Sequence, residues 1–200
     1  MLSTVISTAA FAGGAADERA YFVETVLGTE IGAGPRAVRK WVADPVIEVR
    51  GQPSAADMRT LFAVIADLNE LVAPLELRSA SDEATVVIHF APEADFAKLL
   101  PEYRPPDPGF HWVSWNEYGE IYEATILIAT TGVSQAERSH IIREELTQSL
   151  GLLMDSSRYP DSIFYRGWTT VDAFSDLDRK VIRLLYSPDI EPGTVPTWAR

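Results

Sequence analysis

Ser134 to Leu153, SQAERSHIIREELTQSLGLL, is the stretch that most constrains what this chain can fold into. Ser134 and Glu137 form a capping box, in which the hydroxyl takes one orphan N–H and the carboxylate another. Gly151 supplies the permissive backbone on which helices commonly end. At about 100° per residue, Ile142, Leu146, Leu150 and Leu153 share one face, and that face is expected to be buried. His140, Glu144 and Gln148 form an i, i+4, i+8 row on another side. Glu145 falls beside Ile141 and Leu152, at the margin of the apolar face. Burying an unpaired charge there would cost several kcal/mol or shift its pKa, so this carboxylate needs a reason.

The rest of the chain must supply surfaces for that helix. Residues 1–16, MLSTVISTAAFAGGAA, are small and apolar but lack the charged start of a secretory signal. They read as an N-terminal arm or signal remnant, and residues 17–200 as one domain. Helices are expected at Asp17–Gly28, at 35–42 around the core anchor Trp41, and after the capping pair Ser54 and Asp57. The last of these carries Met58, Leu61, Phe62, Ile65, Leu68 and Leu71. GTEIGAGP (28–35) has three glycines without dinucleotide-binding spacing or a preceding strand, and reads as a loop. Strands are expected at 46–50, 75–79, 85–90, 110–115 and 121–129, with NEYGE joining the last two as a hairpin. Strand 85–90 is apolar on both faces apart from His89, as an interior strand should be. Residues 95–104 read as a short helix, and PPDPG (105–109) as a turn-rich loop. Residues 154–173 are irregular and long for a connector. Ser175 and Asp178 cap a final helix with Leu177, Val181, Ile182, Leu184 and Leu185 on its apolar stripe. This order predicts an α+β fold with α/β-type layers, a twisted mixed sheet above the central helix, and a C-terminal helix.

Composition removes several function classes. The formal charge of −12 from 17 basic and 29 acidic residues argues against nucleic acid. No run approaches the roughly 20 apolar residues of a membrane helix. With no cysteine, thiolate metal sites and disulfides are excluded. No GxSxG, HExxH or EF-hand pattern occurs, and His89, His111 and His140 lie in separate elements.

Residues 140–186 resemble a zinc metallopeptidase of the metzincin type, close to the matrixins. The resemblance rests on EELTQSLGLLM (144–154), DSIFY (161–165) and FSDLDRKVIRLLY (174–186). The chain is more specifically similar to the bacterial domain of unknown function 2927. In metzincins an HExxHxxGxxH helix lies beneath a strand that runs antiparallel to substrate. A turn containing methionine follows, and then a capped helix. The resemblance implies a metzincin-like domain and an exported, periplasmic or secreted protein. It places the zinc-ligand positions on Glu144, Gln148 and Met154, the general base on Glu145, and the methionine of the turn on Phe164. Glutamine and methionine are poor replacements for imidazole on zinc. The expectation is therefore a pseudoenzyme with a degenerate HExxH, no resident metal, and a peptide or protein ligand in the old cleft. Glu145 stands as the candidate catalytic carboxylate, and His140, Glu144, Gln148, Met154, Phe164 and Tyr165 as cleft-lining. An edge beside strand 121–129 would accept an extended peptide.

Two alternatives stand beside it. One is an active hydrolase with an atypical metal centre around His140, Glu144 and Glu145, completed by His89 or His111. The other is a structural or interaction domain in which Glu145 is tied to Arg138, Arg143 or Arg166, and His140 to Glu144 merely stabilises the helix.

Overall fold

Hydrophobic patterning resolves into a mixed sheet with helices packed mainly on one face. The computed structural model describes residues 14–28 and 36–200. Among these, the helices are α1 (Ala15–Val26), α2 (Ala55–Asn69), α3 (Phe96–Leu99), α4 (Gln135–Gln148) and α5 (Asp176–Leu185). The strands are β1 (Lys40–Trp41), β2 (Val46–Gly51), β3 (Arg78–Ser79), β4 (Val86–Ala91), β5 (Gly109–Trp115) and β6 (Glu120–Ala129). Their order is β1-β6-β4-β2-β3, with β5 on the other side of β6. All pairings are parallel except β5 with β6. The fold is α+β with a mixed sheet, as the element order predicts. The expected N-terminal arm up to residue 13 and most of the 28–35 loop lie outside the described residues.

Three expectations change. Residues 36–42 are not helical: Lys40–Trp41 pair with Glu120–Ile121 as a parallel strand. The Trp41 indole donates to the Ser149 carbonyl at 3.0 Å, so tertiary pairing overrides local helical pattern. Phe62 sits on the helical stripe of α2 yet is exposed, because the buried side of α2 is made by Asp57, Leu61, Val64, Ile65 and Leu68. The edge is not beside strand 121–129. β6 is interior, flanked by β4 and β5, and β5 forms the edge on that side.

Cap chemistry places the helices as the sequence predicts. Capping boxes are complete at Ser54/Asp57, Ser134/Glu137 and Ser175/Asp178. From His140 onward α4 is buried on nearly every side, with Ile141, Ile142 and Leu146 in the core and His140, Arg143, Glu145 and Gln148 also buried. It runs beside α2 in the same direction, through a ladder of polar contacts. Gln135 Nε2 and Arg138 donate to Asp57 at 2.9 and 3.2 Å, the Thr60 and Ser139 hydroxyls are 3.1 Å apart, and Arg143 donates to Asp67 at 2.7 Å.

Asp57 both completes the capping box of α2 and anchors α4. Burial alone would push its carboxyl up, but bonds from Gln135 and Ser54 and the charge of Arg138 hold it below the usual range. A depressed carboxylate contributes stability that is present above its unfolded pKa and lost as pH falls through its folded one. Asp57→Asn should therefore melt below wild type at neutral pH. The gap should narrow on acidification below roughly pH 4, as followed by circular dichroism. A gap that stays constant down to acid would contradict this account.

Candidate functional site

A cleft of about 480 Å³ opens between the β5 edge and α4. Gly109 starts the strand and makes the approach possible. A Cβ there would meet Ile141 Cγ2 at 2.4 Å and Glu145 Oε1 at 2.6 Å, so a larger residue would have to displace those two side chains. The preceding loop is held by the Tyr103 hydroxyl, which donates to Glu93 at 2.8 Å, and by Glu93 accepting from Asp107 N at 3.1 Å. Burial and then Glu93 push the Tyr103 phenol up to about 12. Strand alternation from Gly109 puts His111, Val113 and Trp115 on the α4 side of the sheet.

Residues 155–169 form the opposite wall. A bridge between Ser156 and Tyr165 closes this segment on itself, with Ser156 N donating to Phe164 O at 2.8 Å and Arg166 N to Ser156 O at 2.9 Å. It is fastened below by Ser162, whose hydroxyl donates to Asp178 at 2.6 Å and lies 2.6 Å from the Tyr21 hydroxyl. At the rim the exposed Trp168 donates from Nε1 to Glu137 at 2.7 Å, tying the wall to the cap of α4.

The candidate residues divide. Glu145, His140, Glu144, Gln148 and Tyr165 line the cleft together. Met154 and Phe164 do not. Met154 turns away onto Gly28 beside α1, its backbone N donating to Thr25 O at 3.2 Å. Phe164 is fully buried and packs near Tyr21 at 6.4 Å between ring centroids. Ending α4 at Gly151 carries the Met154 side chain past the cleft, and the next residue, Asp155, enters it.

Glu145 pairs with a histidine. Its Oε2 lies 2.8 Å from His111 Nδ1, while Arg138 and Arg143 are spent on Asp57 and Asp67. His140 uses both ring nitrogens: Nδ1 donates to the Val171 carbonyl at 2.6 Å, and Nε2 lies 3.2 Å from Glu144. Burial pulls the His140 pKa down. The bond and charge of Glu144, with the Val171 carbonyl, outweigh that and lift it above its ordinary value, favouring the imidazolium. Gln148 Nε2 donates to Asp155 at 2.8 Å. Burial first, and then the charge of Glu144, raise the Asp155 carboxyl. His89 stays away from this group, on the outer face of β4 beside Glu48 and Arg50.

Asp155, His111 as partner of Glu145, and the lining residues Arg104 and Trp168 are functional candidates that motif reading misses. A one-residue slide of the metal motif, from Met154 to Asp155, is the signal for the first. The alternation of FHWVSW is the signal for the second.

The donor set does not suit zinc. Glu144 is bound to His140, Gln148 presents its amide N–H₂ to Asp155, and Met154 points elsewhere. An imidazole that donates from Nδ1 and pairs with a carboxylate at Nε2 has no lone pair left for a metal. Among the described residues no three histidine, aspartate or glutamate side chains converge as metal ligands would. What the cleft offers is hydrogen bonding, charge and two carboxylate–imidazole pairs, Glu145 with His111 and Glu144 with His140.

Among solved structures, the chain is similar to one of myroilysin at 12% identity, covering 84% of this chain and 95% of that chain, with a TM-score of 0.49. A second myroilysin structure is similar at 10% identity over 74% and 82% of the two chains, with a TM-score of 0.47. No curated protein matches. The model of a family described as protein of unknown function (DUF2927) matches residues 15–200.

Proposed function

We propose that this chain, which belongs to the family described as protein of unknown function (DUF2927), is a metzincin-like metallopeptidase homologue that binds peptide or protein without zinc hydrolysis. One observation carries the reading. At the three positions where the resemblance puts zinc ligands, Glu144 and Gln148 are engaged with neighbours inside the cleft and Met154 faces away from it. Catalysis of that kind needs metal-bound water brought near neutrality as well as a base, and only the base position is filled. The cleft itself remains, with β5 pairing only β6 among the described strands, so that an extended segment can add beside it. A role in the cell envelope, periplasmic or secreted, follows from the resemblance to exported relatives. No helix among the described residues is long and apolar enough to cross a membrane.

The expected result is no stoichiometric zinc in the purified chain by elemental analysis, and no cleavage of a peptide library with zinc, manganese or cobalt supplied. One tightly held zinc per chain would sink the reading.

The close pair of Glu145 and His111 favours a second reading, a hydrolase in which Glu145 takes a proton from water. Any cleavage by wild type that Glu145→Gln abolishes would establish it.

A further inference from the structure

We infer that residues 166–173 are a strap that lifts off α4 to widen the cleft, with the Trp168 indole on Glu137 as its latch. Such a gate governs access, and adds to the peptide-binding reading without depending on it.

The strap is pinned at both ends and thinly held between them. At one end Arg166 N donates to Ser156 O at 2.9 Å, beside the bridge of Ser156 and Tyr165. At the other Phe174 is buried, its ring centroid 4.6 Å from the Arg143 guanidinium and 5.8 Å from that of Arg179. Residues 167–173 form no helix or strand and make no backbone–backbone hydrogen bond within the described chain. Every residue from 166 to 173 is exposed or half-buried. A segment with few buried contacts and no ladder of its own opens locally at far lower cost than the domain unfolds.

Two side-chain bonds hold the middle of the strap on α4, and they are unequal. The inner one is buried: His140 Nδ1 donates to the Val171 carbonyl at 2.6 Å. The outer one lies at the surface, where Trp168 Nε1 donates to Glu137 Oε1 at 2.7 Å. The other oxygen of that carboxylate accepts from Ser134 N at 2.7 Å. The capping box therefore aims Glu137 at the indole, while water competes for the bond itself. Trp41 supplies the contrast. Its indole donates to the Ser149 carbonyl at 3.0 Å with only 2% of the residue exposed, and it is a fixed anchor. Trp168 makes the same kind of bond with 65% of its surface exposed, so burial does not hold its ring and breaking one bond releases it.

The cleft changes with the strap. Arg166, Gly167, Trp168 and Thr169 line it from this side, and His140 and Glu144 from α4. Lifting the strap removes that rim and takes the Val171 carbonyl off His140. The cleft then continues onto the surface of α4 around an imidazole that is buried while the strap is down.

The test is labelling of the full chain with diethyl pyrocarbonate, read histidine by histidine by mass spectrometry. His89, on the outer face of β4, is the internal reference. Trp168→Phe keeps a ring and removes the donor. It should raise the rate at His140 about fivefold, the factor set by one net hydrogen bond, and leave His89 at its wild-type rate. Glu137→Ala should do the same. Ser134→Ala weakens the cap of α4 but keeps the oxygen that receives the indole, so His140 should stay near its wild-type rate. Wild-type rates at His140 in both Trp168→Phe and Glu137→Ala would overturn the latch. So would a rise confined to Glu137→Ala and Ser134→Ala, which would trace the change to fraying of the helix. Wild type alone supplies the second arm. Lifting a strap exposes little surface, so its His140 rate should be nearly flat in urea well below the unfolding midpoint. A rate that climbs with the slope of global unfolding would mean that His140 is reached only by unfolding, and would overturn the strap whatever the variants do.

Discussion

Asp178→Ala should lower the stability of the chain by about 3–4 kcal/mol, measured by urea unfolding, among the largest losses available to a single side chain here. The reason is how many groups converge on one buried carboxyl. Oδ1 accepts from the Ser162 hydroxyl at 2.6 Å, and Oδ2 from Ser175 N at 2.9 Å and Ile163 N at 3.3 Å. Asp178 N in turn donates to the Ser175 hydroxyl at 3.1 Å. Burial pushes the carboxyl up while these donors pull it down, and burial wins. Alanine would remove the side-chain half of the α5 capping box that Asp178 supplies and strand three donors in a place without solvent. Asp178→Asn keeps one acceptor but turns an N–H₂ towards a donor, so its loss should be intermediate. The effect should also reach the cleft. Ser162 is the peg of the 155–169 wall and lies 2.6 Å from the Tyr21 hydroxyl, so Tyr165, Arg166 and Asp155 should all lose order. Faster amide exchange across 155–169 than across α2 would register that. A loss under about 1 kcal/mol would mean that water replaces the network, and the account of the wall would fail.

That network also marks where sequence reading stops. Ser175 and Asp178 announce themselves as a capping box, because a hydroxyl and a carboxylate three residues apart satisfy each other's local donors. Nothing local says that the same carboxylate also holds Ser162, 16 residues away, or that Tyr21 joins from the first helix. The same division runs through the site. The row His140, Glu144, Gln148 and the buried margin position of Glu145 were legible, because helical periodicity alone decides which side chains share a face. The partner of Glu145 was not. Three nearby arginines looked suited to it, and two of them are drawn off by Asp57 and Asp67 on α2, a helix whose docking no motif encodes. His111 takes the place because β5 lies over α4, with Gly109 set close against the Ile141 and Glu145 side chains. The edge strand was misplaced for a related reason. A hairpin signal shows that two strands pair but not which of them meets the rest of the sheet. Trp41 was read correctly as a core anchor and wrongly as helical, since burial and secondary structure are separate questions for a residue whose indole bonds to the end of another element.

Gly151 carries the second large effect, and a pair of substitutions separates its causes. Gly151 and Gly132 both have positive φ, +112° and +82°. A Cβ on Gly132 would meet nothing within 4 Å, whereas a Cβ on Gly151 would sit 2.0 Å from the Arg39 carbonyl oxygen and 3.1 Å from its carbon. Gly132→Ala should therefore cost only the left-handed backbone penalty, about 1 kcal/mol. Gly151→Ala should cost that and the displacement of one backbone segment from another, about 3–4 kcal/mol or outright failure to fold. The segment displaced is the one leading into β1, whose Trp41 is bonded to the last turn of α4, so neither side can give way cheaply. The consequence for the cleft follows from the chain path. Gly151 N donates to Gln148 O at 2.9 Å, and four residues beyond Gly151 the chain delivers Asp155 to the Gln148 amide. Shifting the end of α4 should break that contact. Equal cost at the two glycines would show that backbone conformation alone is at stake at Gly151 and that the end of α4 is free to shift against β1.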